Sequence, residues 1–384
     1  MGRKRWKCCF CCIGLAKAFD CISLDGLFDA LRRFGLPSVY LEFIKNVYQN
    51  RQFFVQDMGQ QSKYRAHFHG ISQGCPLSPF LFVMLMTVIM HDATSKLQNS
   101  FGNVLATLLC VQDLMYANDT LLIDHSPASV QKYMDVVIST GEEYGLQINW
   151  FKVDLLGVRC RPKVQNQDGI DIQQQDSIQY LGVLISANGS IRSELNRRIG
   201  MASSDFKVLD MVWTHTHLTQ KHKYKIYLAC IISKLLYGLQ TSWLTKTQRN
   251  KLDGFHAKCI RKIVGIQHSY WSRISNIEVL SYVGAHRLSN LLLEQQLLVF
   301  GNIYRRPSHD VLRQAIFEEH SVVLQVHAKN RRRGRPKLAW ATEVEKMALQ
   351  VTSDTLSTSM ADAACWKKNA QKFCRAQCSM PPAA

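Results

Sequence analysis

The sequence of 384 residues predicts an α+β fold in which two parts differ in character. Up to Ser186, short apolar stretches at strand spacing alternate with amphipathic helices. Beyond Ser186, apolar residues recur at helical spacing, for example at Ile199, Ala202 and Phe206, and no strand pattern of comparable clarity occurs. Apolar residues make up 47% of the chain, which is enough to form buried cores and excludes an intrinsically disordered protein.

Local signals place the elements of the first part. Ser23 and Ser126 are good N-cap residues, and Gly35 is a good C-terminal one, so helices are predicted between 23 and 35 and from 126. A loop rich in Gly and Pro at 70–79 opens directly onto an apolar helix. The predicted order is strand 9–15, helix 23–35, helix 39–48, strands 52–57 and 63–69, helix 80–91, strands 104–111 and 120–124, helix 126–144, and strands 153–158 and 178–185. The strands 104–111 and 120–124 are predicted to form a hairpin with polar residues at its tip, 116–119.

Charge also divides the chain, whose formal net charge is +18. Residues 81–180 hold 6 Lys/Arg and 11 Asp/Glu, whereas residues 191–270 hold 14 Lys/Arg and 4 Asp/Glu, a net charge of +10. A strongly basic segment of this kind predicts contact with a polyanion, and nucleic acid is the expected partner. The alternative is a set of solvated lysines.

The cysteines and the apolar runs bear on the location of the protein. Thirteen cysteines, an odd number, argue against a secreted disulfide framework. The N-terminal cluster of Cys8, Cys9, Cys11 and Cys12 has no second ligand pair nearby, so free thiols are favoured over a zinc site. The apolar run 80–90 is shorter than the roughly 18–20 residues that span a bilayer, and no secretory signal is evident. The expected location is the nucleus or the cytoplasm, with no membrane partner.

Five motifs occur in order: GLAKAFDCIS at 14–23, GISQGCPLSPFLF at 70–82, YANDTLLI at 116–123, GLQINWFK at 145–152 and YLGVLIS at 180–186. Together they resemble the reverse transcriptases of non-LTR (long interspersed) retrotransposons. The resemblance implies a partial polymerase palm, an antiparallel sheet with packed helices, over 1–186. It implies a basic helical thumb and connector over 187–300, and a basic C-terminal region with a loosely held tail over 301–384. The fingers are expected to be largely absent, as in a copy truncated at the N-terminus.

Catalysis in this family uses two Mg²⁺ ions held by carboxylates. The family has aspartate where this sequence has Gly14, and again where it has Asn118. Glycine offers no ligand and asparagine only a neutral carbonyl oxygen, so Asp119 remains as a weak metal ligand, for which a solvated turn residue is the alternative. Asp20 lies about 20 Å farther along a continuing strand and is not expected to replace Gly14. Because two of the three aspartates are replaced, the sequence predicts a catalytically inactive copy that holds Mg²⁺ poorly.

Other motif positions keep the residue types of the family. The resemblance assigns Phe19 to the steric gate under the sugar, and Gln73 and Gly74 to the loop against the incoming nucleotide. It assigns Lys152 to protonation of the pyrophosphate leaving group. Tyr180, Leu181 and Gly182 match the primer grip. The alternatives are strand core for Phe19 and Tyr180, a plain helix start for the loop, and a solvated charge for Lys152.

Two groups of basic residues are candidates for nucleic-acid contacts. Contacts of this kind to phosphates give affinity without sequence choice. In the helical part the candidates are Arg197, Arg198, Lys221, Lys223 and Lys225. In the stretch NRRRGRPK they are Arg331, Arg332, Arg333, Arg335 and Lys337, for which a minor-groove arm and a solvated linker are the alternatives.

The leading hypothesis is a degenerate RNA-directed DNA polymerase domain, whose active relatives copy an RNA template from a DNA primer at the target. The second is a retained, non-catalytic RNA- or DNA-binding protein, favoured by aromatic residues such as Trp213 and Tyr224 among the basic ones. A third is a weakly active polymerase that uses manganese or residues of a partner. A fourth is an unstable relic with an exposed sheet edge.

Overall fold

The computed structural model describes residues 7–106, 112–215, 217–318, 321, 323–325, 339–352 and 355–376. The chain divides into two compact units, Met1–Ser190 and Ile191–Ala384. The first unit mixes strands and helices, whereas the described part of the second is helical apart from one isolated bridge, between Phe317 and Leu324. The α+β class predicted from the sequence is therefore confirmed.

The first unit is built from eleven strands and five helices among its described residues, together with a 3-10 turn at Trp150–Lys152. In chain order the elements are β1 (Cys8–Gly14), α1 (Ala18–Cys21), α2 (Leu24–Phe34), α3 (Ser38–Tyr48), β2 (Gln52–Phe53), β3 (Gln56–Asp57), β4 (Gln60–Gln61), β5 (Arg65–Ala66), α4 (Ser78–Ala106), β6 (Gln112–Tyr116), β7 (Asp119–Asp124), α5 (Pro127–Glu143), β8 (Asp154–Val158), β9 (Gln174–Gln175), β10 (Ser177–Tyr180) and β11 (Val183–Ser186).

A five-stranded sheet lies at the centre of this unit, in the order β6-β7-β1-β8-β9. Its ladders are antiparallel, as predicted, except that β9 pairs parallel with β8. Side chains alternate between the two faces of β1. Cys9, Cys11 and Ile13 pack with residues of α4 and α5, whereas Cys12 packs with residues of the β10–β11 hairpin. The middle strand is thus covered on both faces.

The N-caps are those that the sequence predicts, but the first strand of the polar-tipped hairpin is not. Ser23 Oγ accepts the backbone N–H of Gly26 at 3.3 Å, and Ser126 Oγ accepts that of Ser129 at 3.3 Å. The helix predicted over 80–91 continues to Ala106, and the strand predicted over 104–111 instead occupies Gln112–Tyr116. The helix continues because Ala93 and Leu97 extend its buried face. Residues 107–111 lie outside the described residues.

Helix α4 also passes the length and composition test for a membrane span, which the short apolar run 80–90 did not predict. Its window Ser78–Asn99 has a mean hydropathy of 1.4, and half of that window is buried inside the unit. Leu81, Leu85 and Ile89 belong to the core that α4 shares with α2. The core helix of a globular unit meets the same criteria.

The described part of the second unit consists of helices, with a π-helical stretch at Leu228–Ile232 and a 3-10 turn at Leu239–Thr241. Its helices are α6 (Arg192–Val208), α7 (Asp210–Thr214), α8 (Gln220–Tyr227), α9 (Ser233–Leu236), α10 (Lys246–Val264), α11 (Ser269–Ser272), α12 (Asn276–Ser281), α13 (Leu288–Tyr304), α14 (Val311–Ile316), α15 (Trp340–Val351), α16 (Leu356–Ala361) and α17 (Ala363–Ala376).

The C-terminal helices pack into a core, so the predicted loosely held tail is wrong for residues 355–376. Trp366 is fully buried, and its Nε1 donates a hydrogen bond to the carbonyl of Leu297 at 2.8 Å. Trp366, Ala370 and Cys374 recur every four residues and are all buried, which places them on one face of α17. The predicted boundary at residue 300 falls inside helix α13. The predicted division of the chain into three parts stays a prediction.

Candidate active site

Gly14, Asn118 and Asp119 meet at one end of the five-stranded sheet. Gly14 is the last residue of β1, and it pairs across the ladder with Asp119, the first residue of β7. Asn118 lies in the tight turn between β6 and β7, where Ala117 has a φ of +53°. The carbonyl of Asn118 accepts a hydrogen bond from the backbone N–H of Leu15 at 3.2 Å. The hairpin tip that the sequence predicts therefore lies beside the end of the central strand.

Lys152 approaches the same point from the turn that precedes β8. This turn is tied to β1, because the backbone N–H of Asn149 donates to the carbonyl of Gly14 at 2.8 Å. A Cβ atom added to Gly14 would lie 3.2 Å from Lys152 Cβ and 3.8 Å from Asp119 Oδ1. The structure thus brings Gly14, Asp119 and Lys152 together, and a side chain at position 14 would reach both of the others.

The Tyr180–Gly182 turn belongs to the hairpin that covers this face of the sheet. Tyr180 ends β10, and its hydroxyl donates to the carbonyl of Leu114 at 2.6 Å. Leu181 and Gly182 form the turn with φ values of +47° and +74°. Burial, with the nearby Cys12 thiol and the Asp119 carboxylate, raises the pKa of Tyr180 to about 12. The residues matched to the primer grip therefore lie close to Asp119.

Asp154 is a second carboxylate near this point, and none of the motifs predicts it. It begins β8 and pairs with Cys12, two residues before Gly14, so its side chain lies on the same sheet face as that of Asp119. Burial, with the charges of Asp119 and Asp154, raises the pKa of the Cys12 thiol to about 11. The sequence signal for Asp154 is a polar residue at the start of a predicted strand.

The donor set at this end of the sheet does not fit two Mg²⁺ ions. The residues at the motif positions supply one carboxylate, Asp119, beside a neutral amide and a glycine, and Asp154 adds one more from the start of β8. Two Mg²⁺ ions need several hard, anionic oxygen ligands in near-octahedral geometry. Among the described residues, no group of three or more His, Cys, Asp or Glu side chains is placed to hold a metal ion.

The chain turns sharply after β1, which corrects the expected position of Asp20. Lys17 adopts a φ of +44°, and residues 18–21 form helix α1 instead of extending the strand. The premise that Asp20 lies along a continuing strand is therefore wrong. Its carboxylate accepts a hydrogen bond from Gln73 Nε2 at 3.0 Å. Phe19, in the same helix, stacks on Phe82 with ring centroids 4.8 Å apart.

The loop that carries Gln73 and Gly74 is held from beneath by Arg51, which has no recognisable sequence signal. The guanidinium of Arg51 donates to the carbonyl of Gly70 at 2.7 Å and to Ser72 Oγ at 3.1 Å. It also lies 4.4 Å from the ring centroid of Tyr48, and burial lowers its pKa. Gln73 and Gly74 themselves are exposed, and Gly74 has a φ of +83° that favours glycine.

The basic residues predicted to contact phosphate differ in their surroundings. Arg198 and Lys223 are buried: Arg198 binds Glu194 Oε1 at 2.7 Å, and Lys223 Nζ donates to the carbonyl of Trp213 at 2.8 Å. Arg197 also binds Glu194, at 2.8 Å. Lys221 and Lys225 are exposed. The other candidates, Arg331, Arg332, Arg333, Arg335 and Lys337, lie outside the described residues.

The four N-terminal cysteines are residues of β1, and their thiols are free. Cys9 and Cys11 are buried on one face of the sheet. Burial raises the pKa of Cys9 to about 12 and also raises that of Cys11. Zinc binds thiolates, so thiols that stay protonated at neutral pH in an apolar core are poor ligands. The favoured interpretation of the cluster is therefore core packing.

Residues 1–185 match the family model described as reverse transcriptase (RNA-dependent DNA polymerase). The first unit of this chain is therefore a reverse transcriptase domain. The relatives make the type more specific. The Pol polyprotein from retrotransposable element R2DM of Drosophila melanogaster is 24% identical over 212 residues, which are 52% of this chain and 20% of that protein. The first unit is therefore a reverse transcriptase domain of the non-LTR retrotransposon type.

Two further proteins are similar over a larger share of the chain. The RNA-directed DNA polymerase from mobile element jockey of Drosophila funebris is 24% identical over 279 residues, which are 70% of this chain and 29% of that protein. This chain therefore spans only about a fifth to a third of these relatives. The structure of apo telomerase from Candida tropicalis matches 80% of this chain and 52% of its own chain at 12% identity, with a TM-score of 0.37.

Proposed function

We propose that this chain carries the palm of an RNA-directed DNA polymerase that binds template and primer but no longer joins nucleotides. The observation that carries the proposal is the position of Gly14. It pairs with Asp119, and a side chain there would begin 3.8 Å from the Asp119 carboxylate. This is the place where an aspartate would complete a pair of metal-binding carboxylates, and glycine leaves it without one.

Asn118 removes a second ligand from the same corner. Its neighbour Asp119 supplies one anionic side chain, and the aliphatic stem of Lys152 lies 3.2 Å from the place of a Cβ at position 14. A divalent cation would lose most of its carboxylate ligands. In an active palm, Mg²⁺ would activate the primer hydroxyl and hold the triphosphate. Gly14, Asn118 and Asp119 do not supply the ligands for that role.

We further propose that the second unit acts as the thumb and connector, and that nucleic-acid binding is the activity that remains. The partners would be an RNA template and a DNA primer or target. The support is the charge of residues 191–270, which is +10 in a chain whose palm has Gly14 and Asn118 at two motif positions. Lys221 and Lys225 are the exposed members of the predicted phosphate-contacting set in that segment. Arg198 and Lys223 would act there as core residues.

Primer extension tests the catalytic part of this proposal. A labelled DNA primer on an RNA template would be incubated with Mg²⁺ or Mn²⁺ and the wild-type chain, the Gly14→Asp/Asn118→Asp variant, or Asn118→Asp alone. We expect no extension by the wild type or the single variant, and extension by the double variant. Adding Asp119→Asn to the double variant should abolish the gain. Extension by the wild type in either metal would overturn the proposed inactivity.

A further inference from the structure

Two large aromatic side chains project from the second unit at a short helix. Tyr270 and Trp271 lie in α11 and are 63% and 73% exposed. Their rings meet edge to face with centroids 4.9 Å apart, and the guanidinium of Arg273 lies 5.5 Å from the centroid of Tyr270. Single exposed apolar residues need no explanation, but an exposed Tyr–Trp pair with an arginine against it is an unusual surface.

The loop that carries this pair is held firmly by one buried arginine. Arg261 of α10 is only 6% exposed, and it donates hydrogen bonds to the carbonyls of Gln267 at 3.0 Å and Ile274 at 2.6 Å. It also donates to Ser272 Oγ at 3.2 Å and Asn276 Oδ1 at 3.0 Å. The loop is thus fixed on both sides of the aromatic pair, so binding there would cost little ordering of the backbone.

A basic groove begins where α11 begins. The open groove has a volume of about 490 Å³, and Lys258, Lys262 and Gly254 line it from one face of α10 at four-residue spacing. His268 and Ser269, which directly precede the aromatic pair, line its other side. The sequence holds no Asp or Glu between Asp253 and Glu278. One partner from outside this stretch is Asp210, whose Oδ1 lies 3.2 Å from Lys262 Nζ.

We propose that this surface binds a single-stranded nucleic acid, with a base stacked on Trp271 and the adjoining phosphates in the groove along Lys258 and Lys262. An exposed aromatic face beside cationic side chains is the combination that holds unpaired bases without sequence choice. A duplex does not offer a free base face, so the aromatic pair favours a single strand. The inference rests on the nucleic-acid binding proposed above, and it names the place and the form of the ligand.

Fluorescence anisotropy with the full chain tests this site. Labelled oligo(U) and oligo(dT) of about 20 nucleotides and a duplex of equal length would be titrated over a series of salt concentrations. Trp271→Ala should weaken single-strand binding by about tenfold and leave the salt slope unchanged. Trp271→Phe should restore most of the affinity. Lys258→Gln/Lys262→Gln should reduce the salt slope by about 1.4, because each neutralised phosphate of a single strand contributes about 0.7 to that slope.

Tyr282→Ala is the matched control, since Tyr282 is an exposed aromatic residue of the same unit that does not line the groove. Wild-type affinity in this variant is expected. The site is wrong if Trp271→Ala binds single strands as tightly as the wild type, a result that would suit a protein partner and would leave the proposed function standing. It is also wrong if Trp271→Ala weakens duplex and single strand equally. If the wild type binds neither form, the site and the proposed nucleic-acid binding both fail.

Discussion

The backbones of Gly14 and Asp119 pair across the ladder of β1 and β7, and a Cβ on Gly14 would lie 3.8 Å from the Asp119 carboxylate. The turn that carries Lys152 is hydrogen-bonded to the same glycine. The framework that places two carboxylates side by side is therefore present, although one of the side chains is not. This relationship makes the effect of restoring the carboxylate measurable in the free protein as well as in catalysis.

Gly14→Asp should destabilise the metal-free protein at neutral pH. Two neighbouring carboxylates repel each other, which raises the pKa of one of them and costs about 1–2 kcal/mol. The cost is present while both groups are ionised and disappears below about pH 4, where the pair takes up a proton. Gly14→Ala is the control, since it makes the 3.2 Å contact with Lys152 Cβ without the charge. Urea unfolding at both pH values measures the difference, and equal stability of the two variants at pH 7 would contradict the geometry.

Glu194→Gln should destabilise the second unit strongly. Burial raises the pKa of Glu194, but hydrogen bonds from Arg197 and Arg198 outweigh it and hold the pKa below its ordinary value. Removing this charge leaves the buried Arg198 guanidinium without its carboxylate, a loss of about 3–5 kcal/mol. The wild type should also lose stability as the pH falls through the lowered pKa of Glu194, because protonation weakens the same pair.

The double variant Glu194→Leu/Arg198→Met separates charge from packing, because it removes both members of the buried pair. Its stability should lie close to that of the wild type. Thermal unfolding compares the three proteins. If Glu194→Gln unfolds at the wild-type temperature, Arg198 is not held by the buried pair, and its assignment to phosphate contact regains support.

His256 should make the second unit less stable at mildly acidic pH. Burial lowers its pKa to about 4, although a hydrogen bond to the backbone of His286 acts to raise the pKa. Its Nδ1 lies 3.1 Å from the hydroxyl of Tyr227. Between about pH 6.5 and pH 4 the unfolded chain binds a proton that the folded one refuses, so about 3 kcal/mol is lost as the pH falls.

Urea unfolding over this pH range tests the role of His256. The variant His256→Gln should show a flatter pH dependence than the wild type, even if it is less stable throughout. His268→Gln, at an exposed histidine, should keep the wild-type slope. A wild-type slope in His256→Gln would mean that another group titrates.

Trp366→Ala should unfold the C-terminal helices from their core. The indole is fully buried, and its N–H donates to the carbonyl of Leu297. Truncation of a buried tryptophan to alanine typically costs about 3–5 kcal/mol. Limited proteolysis should then cut α17 much faster than in the wild type, whereas Lys367→Ala, at the exposed neighbouring residue, should leave the rate unchanged. If α17 were cut at the same rate in Trp366→Ala as in the wild type, the prediction of a loosely held tail would regain support.

Features that depend on local sequence could be predicted, and features that depend on distant partners could not. Ser23 and Ser126 cap their helices with their own side chains, so their signals lie within a few residues. The hairpin tip at Asn118 is likewise a local turn. In contrast, Arg51 is defined by the loop at Gly70–Ser72, some twenty positions away in the chain. No pattern around a lone arginine indicates such a partner.

The sequence predicts the residues of the candidate site but not all of the groups that surround them. The motifs identify Gly14, Asp119 and Lys152 because each motif ends or begins at the edge of a strand. Asp154 was missed because its proximity to Asp119 follows from the pairing of β8 with β1, which only the folded sheet supplies. Asp20 was misplaced because a single left-handed residue, Lys17, changes the direction of the chain.

Gly14 pairs with its neighbours in the sheet through backbone atoms alone, and this affects which mutations of the gene the fold tolerates. A single base change converts an aspartate codon into one for glycine or for asparagine, and neither exchange disturbs the ladder. Removing one of two neighbouring carboxylates also removes their repulsion, since residues that are kept for catalysis often reduce the stability of the fold. A gene copy that is no longer selected for replication can therefore lose its reaction early and still yield a protein that folds, which leaves time for another use to be found.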